Sequence, residues 1–256
     1  MGLIKGMMKP KISIITVCLN AELEIKDTIN SLASQTFKDF EWIVIDGMSK
    51  DNTVKYAKQA PIEKKIVVSE KDEGLYDAMN KGIKLANGEF LIFLNAGDYF
   101  YDKDTLKDLM ESCQHADIIY GETYIVDQKT GKPLGRRRLK APENLTYRKL
   151  LWGMLVSHQS VLIRKEIVEF YDTKYKISAD IDWLIRCLKK TRKICNARRY
   201  VTCFKTGGLS GKNVIPALIE RFKIQVKHFG WIRVILAHLW IMFRFPVQYI
   251  IYRRKV

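Results

Sequence analysis

The chain has 256 residues, 47% of them hydrophobic and 11% aromatic, with a formal net charge of +16. That is enough apolar material for one large folded domain, or a domain with an appendage, and it excludes a disordered or low-complexity protein. Five scattered cysteines without a Cys-x-x-Cys pair argue against a zinc or dithiol site and suggest a reducing compartment. Met1 to Lys11 carries lysines and no apolar stretch of useful length, so it does not read as a secretory signal, and the expected location is cytoplasmic.

The charge is unevenly distributed. Residues 1–135 hold 17 Lys/Arg against 21 Asp/Glu, a balance of −4, whereas residues 136–256 hold 27 against 7, a balance of +20. A basic second half suits nucleic acid, anionic lipid or a polyphosphate substrate, and composition does not choose among them.

Lys11 to Cys18 is β-branched and reads as a first strand, followed by a helix over Ala21–Ser34 with Asn20 as its N-cap. Glu41 to Ile45 is a second strand ending on Asp46-Gly47, and Asp51-Asn52 caps a short helix from Thr53. Lys65–Ser69 is a third strand, Leu75–Ala86 a third helix closed by Asn87-Gly88, and Phe90–Leu94 a fourth, wholly apolar strand that runs into Asp98. This alternation predicts βαβ units on a mostly parallel sheet, an α/β fold.

Beyond Asp98 the alternation stops. The pattern predicts a helix over Asp104–Cys113, a strand over Asp117–Tyr120, and a hairpin over Glu122–Leu139 that ends on Arg136-Arg137-Arg138. A short strand at Ser160–Ile163, a helix from Ser178 to about Lys190 and a late strand over Lys193–Phe204 follow. From Val214 the chain carries eight Lys/Arg against one Glu, and its longest uncharged run there, Val234 to Phe243, is ten residues, too short to span a bilayer. Trp231, Ile232, Ile235, Leu236, Leu239, Trp240 and Phe243 form an apolar stripe beside basic residues, which describes helices lying on an anionic membrane surface; the alternative is a helix pair packed on the domain.

Acidic and polar residues fall where an open α/β sheet binds ligands: Asp46 after strand two, Asp72, Asp77 and Asn80 around helix three, Asp98 after strand four, and Asp180 with Asp182. Such carboxylates suit a hard divalent cation and the hydroxyls of a sugar or nucleotide. After the first strand, Leu19-Asn20-Ala21-Glu22 lacks both a Gly-x-Gly-x-x-Gly fingerprint and a P-loop, so neither NAD nor a phosphate cradle is indicated.

The series Ile-Ile-Thr-Val-Cys-Leu-Asn (14–20), Val-Ile-Asp-Gly-Met-Ser-Lys-Asp-Asn-Thr (44–53), Ser-Glu-Lys-Asp-Glu-Gly-Leu-Tyr-Asp-Ala-Met-Asn-Lys-Gly-Ile (69–83) and Phe-Leu-Asn-Ala-Gly-Asp (93–98) resembles the nucleotide-sugar-binding half of family 2 glycosyltransferases. The resemblance covers about residues 11–210 and is nearest to bacterial enzymes of capsule, exopolysaccharide or O-antigen assembly. It implies a GT-A fold over residues 1–213, with a nucleotide-sugar half at 11–100 and an acceptor half at 101–213, to which the amphipathic pattern adds a membrane-associating tail at 214–256. It implies inverting transfer from a nucleotide diphosphate sugar, a UDP-sugar foremost, to a lipid-linked oligosaccharide at the inner face of the cell membrane.

On this resemblance the donor is held by Thr16, Asn20, Asp46, Asp51, Asp72, Asp77, Asn80, Asn95, Gly97 and Lys212, the last following a Gly-Gly-x-Ser loop at 207–210. Asp98 is the expected ligand of Mg²⁺ or Mn²⁺, standing without the aspartate cluster of many relatives because Asn95, Ala96 and Gly97 precede it. Asp180 is the expected general base, Asp182 its substitute, and His158 a companion on the acceptor side. Read without the family, Asp180 and Asp182 are an N-cap and a first-turn acid. Arg136–Arg138 are candidates for a lipid diphosphate. Two other classes stand beside this reading: a polyanion-binding module, which has no nucleic-acid motif to support it, and a sugar nucleotidyltransferase, which lacks its phosphate loop. No nucleic-acid partner is expected, and homo-oligomerisation is left open.

Overall fold

The computed structural model describes residues 9–207 and 214–253, with side chains through residue 242. In chain order the regular elements are β1 (Ile12–Cys18), α1 (Ile25–Ser34), β2 (Phe40–Asp46), α2 (Thr53–Gln59), β3 (Lys65–Ser69), α3 (Leu75–Leu85), β4 (Phe90–Phe93), β5 (Tyr99–Phe100) and α4 (Thr105–Ser112). They continue as β6 (Ile118–Val126), β7 (Pro133–Arg136), β8 (Val161–Arg164), α5 (Ala179–Lys190), β9 (Ile194–Lys205), α6 (Val214–Phe229) and α7 (Trp231–Arg253). The sheet runs β3-β2-β1-β4-β8-β6-β9-β5, with β7 on β6. Its β3-β2-β1-β4 portion is parallel, as the strand–helix alternation predicts. Past β4 the direction alternates: β8 is antiparallel to β4 and to β6, while β9 runs parallel to β6.

The uninterrupted apolar strands are buried on both faces, which is why they lack polar alternation. Ile15, Val17, Ile43, Ile45, Leu91 and Phe93 join α3 and α5 in one core. Their alternating neighbours Ile12, Ile14, Trp42, Val44, Phe90 and Ile92 join α1, α2 and α4 in the other. The sheet is thus the middle of three layers, and α3 lies so close to it that a Cβ on Gly82 would stand 2.4 Å from Ile15 Cγ2. A buried carboxylate closes the turn into β4: Glu41 accepts from Ser13 Oγ at 2.6 Å, Asn87 N at 2.5 Å and Gly88 N at 3.2 Å.

Several sequence expectations need correction. Asn20 is not a helix N-cap: it has φ 48°, and α1 begins at Ile25. Its Oδ1 instead accepts from Lys50 N at 2.9 Å and its N–H donates to Ser49 Oγ at 2.7 Å, so the chain after β1 is committed to the loop after β2 before it can turn helical. The strand predicted over Asp117–Tyr120 and the first arm of the hairpin predicted from Glu122 are one strand, β6, which runs through Gly121 with a register shift against β9; a Cβ there would meet Arg199 O at 2.5 Å. Cys113 and Cys195, 82 residues apart, form a disulfide between the end of α4 and β9, where separate thiols were expected. Cys18, Cys187 and Cys203 are free.

The expected boundary at 213/214 does not separate two packing units. Ile224 of α6 is fully buried in the α3–α5 core, and Gln225 Nε2 donates to Leu151 O at 2.9 Å. Among the described residues, no helix is long and apolar enough to cross a membrane.

Candidate active site

The chain leaves β4 at Phe93, and the next five residues are pinned from three directions. Asp98 N donates to Asn95 O at 3.0 Å, closing a turn that needs φ 97° at Gly97. From α1, Thr28 Oγ1 accepts from Gly97 N at 3.0 Å and donates to Asp98 O at 2.8 Å. From the turn before β8, Gln159 uses both ends of its amide: Oε1 accepts from Asn95 N and Nε2 donates to Asp98 Oδ2, each at 2.7 Å. Asp98 Oδ1 accepts from Lys205 N on β9 at 2.8 Å. Burial pushes the Asp98 carboxyl up to about 6 against the pull of the Lys205 N–H, Gln159, and the His158 and Lys205 charges.

Asp98 thereby lies in a cleft of about 490 Å³ whose walls include Glu24, Tyr76, Asn95, Gly97, His158, Ile177, Asp180 and Lys205. Two polar atoms on those walls, Asn95 Oδ1 and His158 Nε2, are buried without a hydrogen-bond partner. His158 Nδ1 lies 3.8 Å from Asp180 Oδ2. Asp180 Oδ1 accepts from Ile181 N at 3.0 Å. Burial alone would raise the Asp180 carboxyl, but His158, Arg221 and the Ile181 N–H hold it below the usual carboxylate range, so it is ionised at neutral pH.

Of the residues singled out from sequence, the cleft gathers Asn95, Gly97, Asp98, His158 and Asp180. Asn20, Asp46, Asp51 and Asp72 form a second group at the ends of β1 and β2. Asp46, fully buried, accepts from Ser49 N at 2.9 Å and Ser69 Oγ at 2.6 Å; Asp51 accepts from Glu22 N at 3.1 Å and Thr53 N at 3.0 Å. Gly47 brings this loop against Asp72, whose Oδ2 would lie 2.7 Å from a Cβ placed there. Asp77 accepts from Glu73 N at 3.1 Å and pairs with Lys81 at 3.6 Å.

Three of the expected residues turn away from both groups. Thr16 is fully buried, its hydroxyl donating to Leu94 O at 2.7 Å and accepting from Trp42 Nε1 at 2.9 Å. Asn80 exchanges two bonds with the Tyr171 backbone, at 3.0 and 2.7 Å. Asp182 is fully buried on the opposite side of α5 from the cleft, accepting from Arg186 Nε at 2.7 Å, His228 Nε2 at 2.8 Å and Lys227 Nζ at 3.0 Å. That arrangement corrects its assignment as a substitute base: it ties α5 to α6. Lys212 and residues 208–210 of the Gly-Gly-x-Ser loop lie outside the described residues.

Further residues have partners that the sequence did not reveal. Gln159 follows His158 in the chain, but nothing in the sequence revealed that its amide would bridge the β4 loop. Lys205 pairs through Nζ with Asp27 of α1. Of the Arg136–Arg138 run, Arg137 turns inward and donates to Met154 O at 2.7 Å; burial and the like charge of Arg221 lower its guanidinium pKa, opposed by Asp180 and Glu122.

A metal can be tested against this donor set. No cluster of three His, Cys, Asp or Glu side chains suited to a cation occurs among the described residues. One carboxylate, Asp98, and the unpartnered Asn95 Oδ1 fit a hard cation only if its remaining oxygen ligands were supplied by a bound molecule and water, not by a protein-built cage.

A parallel βα half that ends in an acidic loop, joined to a second half that brings an ionised carboxylate and an imidazole to the same cleft, is the arrangement of a GT-A transferase. The model of glycosyl transferase family 2 matches residues 13–171, and the chain belongs to that family. Membership decides for glycosyl transfer over the polyanion-binding and nucleotidyltransferase alternatives. Among curated relatives, a "PGL/p-HBAD biosynthesis glycosyltransferase" of Mycobacterium bovis is 29% identical over 91% of this chain and 92% of its own length. The putative teichuronic acid biosynthesis glycosyltransferase TuaG of Bacillus subtilis is 32% identical over 62% of this chain and 64% of its own. Among solved structures, S. aureus TarS residues 1–349 in complex with UDP-GlcNAc superposes with a TM-score of 0.64 at 20% identity, over 84% of this chain and 66% of that one.

Proposed function

We propose that the protein transfers a sugar, with inversion, from a UDP-sugar to a lipid-linked saccharide during assembly of a bacterial cell-surface glycan. The observation that carries this reading is the single cleft that joins Asp98 of the β4 loop to the His158–Asp180 pair. The biosynthetic roles in the names of the relatives support a surface glycan, and the UDP-GlcNAc complex of the TarS neighbour supports a UDP donor.

In this reading the nucleoside lies along the loops of Asn20, Asp46, Asp51 and Asp72, and the diphosphate approaches Asn95 and Asp98. Mg²⁺ or Mn²⁺, held by Asp98 and Asn95 Oδ1, would neutralise charge on the departing diphosphate. Asp180 accepts the proton of the acceptor hydroxyl as that oxygen bonds to the anomeric carbon. The bond from that carbon to the diphosphate breaks on the opposite face, so one base suffices. His158 lies beside Asp180, its Nδ1 3.8 Å from Asp180 Oδ2.

The tail supports action at a membrane. Ile215, Leu218, Trp231, Ile232, Leu236 and Met242 are each more than half exposed, and Lys223 and Arg233 lie on the same two helices. In this reading the exposed apolar and basic side chains rest on anionic lipid at the cytoplasmic face. The donor reading is tested by thermal shift with a panel of UDP-sugars, with and without Mn²⁺, since a bound donor raises stability by mass action. Stabilisation by none of them would overturn it.

A further inference from the structure

The helix that carries the base is held from behind by a residue outside every motif. Glu220 on α6 accepts three consecutive backbone N–H groups: Lys176 on Oε1 at 2.8 Å, and Ile177 and Ser178 on Oε2 at 2.9 Å each. Ser178 Oγ adds a bond to Ala217 O, one turn earlier on α6, at 3.2 Å. These residues lead directly into α5, whose second residue is Asp180, and Ser178 at its N-cap makes no capping bond to the helix with its own side chain. Ile177 also lines the cleft, and its carbonyl accepts from Tyr76 Oη at 2.8 Å. Glu220 is the only acidic residue from 214 to 256. It lies on the stripe Ala217, Glu220, Ile224, Lys227 and His228 that faces the domain, whereas Ile215 and Leu218 face outward.

We propose that Glu220 is a positioning residue for the general base: by fixing three successive amides it sets where α5 starts, and so where Asp180 meets the acceptor hydroxyl. The helix that presents apolar residues to the membrane is then also the one that aligns the catalytic carboxylate. A carboxylate accepting three N–H groups forms strong, directional, charge-assisted bonds, and a displacement of about 1 Å at a reacting group can cost about 100-fold in rate. The proposal rests on the reading of Asp180 as base.

The test uses the full chain with UDP-N-acetylglucosamine, UDP-glucose and UDP-galactose as probes. UDP release with water as acceptor, which needs the same base, yields kcat and KM. Glu220→Ala is expected to lower kcat about 10- to 100-fold while KM stays within about twofold, because the donor is held elsewhere. Glu220→Gln, which keeps one acceptor oxygen, should fall between, and it decides the matter if Glu220→Ala fails to fold. A folded variant with kcat within about twofold of wild type, or with its whole loss in KM, would overturn the proposal. Asp180→Asn run in parallel separates the two claims: unchanged kcat there removes the base reading and this inference together, whereas loss there with full activity in the Glu220 variants removes this inference alone. UDP release from none of the three sugars by the wild-type chain removes the donor reading and, with it, this inference.

Discussion

Gln159 Nε2 donates to Asp98 Oδ2 at 2.7 Å, and the other end of the same amide accepts from Asn95 N, so one nearly buried side chain sets the shape of the acidic loop. Gln159→Leu keeps the volume and removes both bonds, leaving the Asn95 N–H and one Asp98 oxygen without their partner. An unsatisfied buried group costs about 1–3 kcal/mol, so chemical denaturation should show a loss of about 2 kcal/mol or more. The donor KM should rise with it, since the loop is no longer held in one geometry. A variant with wild-type stability and KM would show that the β4 loop holds its shape without the amide.

Asp180→Asn retains the shape of the side chain and removes its basicity. Loss of a general base commonly costs about 10² to 10⁴ in rate, so kcat should fall by that factor while the thermal shift produced by donor is preserved. Full transfer by a folded Asp180→Asn protein would exclude Asp180 as the base.

Asp182 should behave in the opposite way, affecting stability more than catalysis. Burial works to raise its carboxyl, but His228, Arg186 and Lys227 outweigh burial and hold it well below the usual carboxylate range. A carboxyl lowered in the folded state stabilises above its unfolded pKa of about 3.9, and that contribution fades as pH falls towards the folded value. Asp182→Asn should therefore cost about 3 kcal/mol between pH 5 and 8 by urea denaturation, the low end for a broken buried pair because Arg186 and Lys227 reach solvent. The gap between the two proteins should close below about pH 4. A gap that stays constant down to pH 3 would contradict the ion-pair explanation.

Because α6 belongs to the core, a chain ending before Val214 would lose Ile224, Gln225 and two partners of Asp182, Lys227 and His228, and should be unstable. Membrane binding is better tested by replacing Ile232, Leu236 and Met242 of α7 with Ser, since these side chains are 77%, 61% and 66% exposed. Such surface changes should alter stability by less than about 0.5 kcal/mol each. Partitioning onto phosphatidylglycerol-rich vesicles should drop at least about 100-fold, because each buried apolar side chain contributes roughly 1.5–3 kcal/mol. Undiminished sedimentation with the vesicles would place the membrane contact elsewhere.

The amino-acid sequence determined the first half of this protein almost by itself. Apolar runs such as Phe90–Leu94 have only the middle of a covered parallel sheet to occupy, and the carboxylates that follow them must emerge at strand ends. The ordered motifs from Thr16 to Asp98 carried the family in the same way, because βα units place motif residues by local connection. The second half was legible as elements, and Asp180 as a position, but its partnerships were not. Asp180 and Asp182 are two residues apart at one helix start, and only packing decided that the first faces the cleft while the second is buried against Lys227 and His228. The bridge from Gln159 to Asp98, the disulfide between Cys113 and Cys195 and the hold of Glu220 on residues 176–178 span 61, 82 and 42–44 positions. Hydrogen bonds and sulfur contacts act over a few ångströms, and no local periodicity encodes which distant segments the folded sheet will bring within that reach.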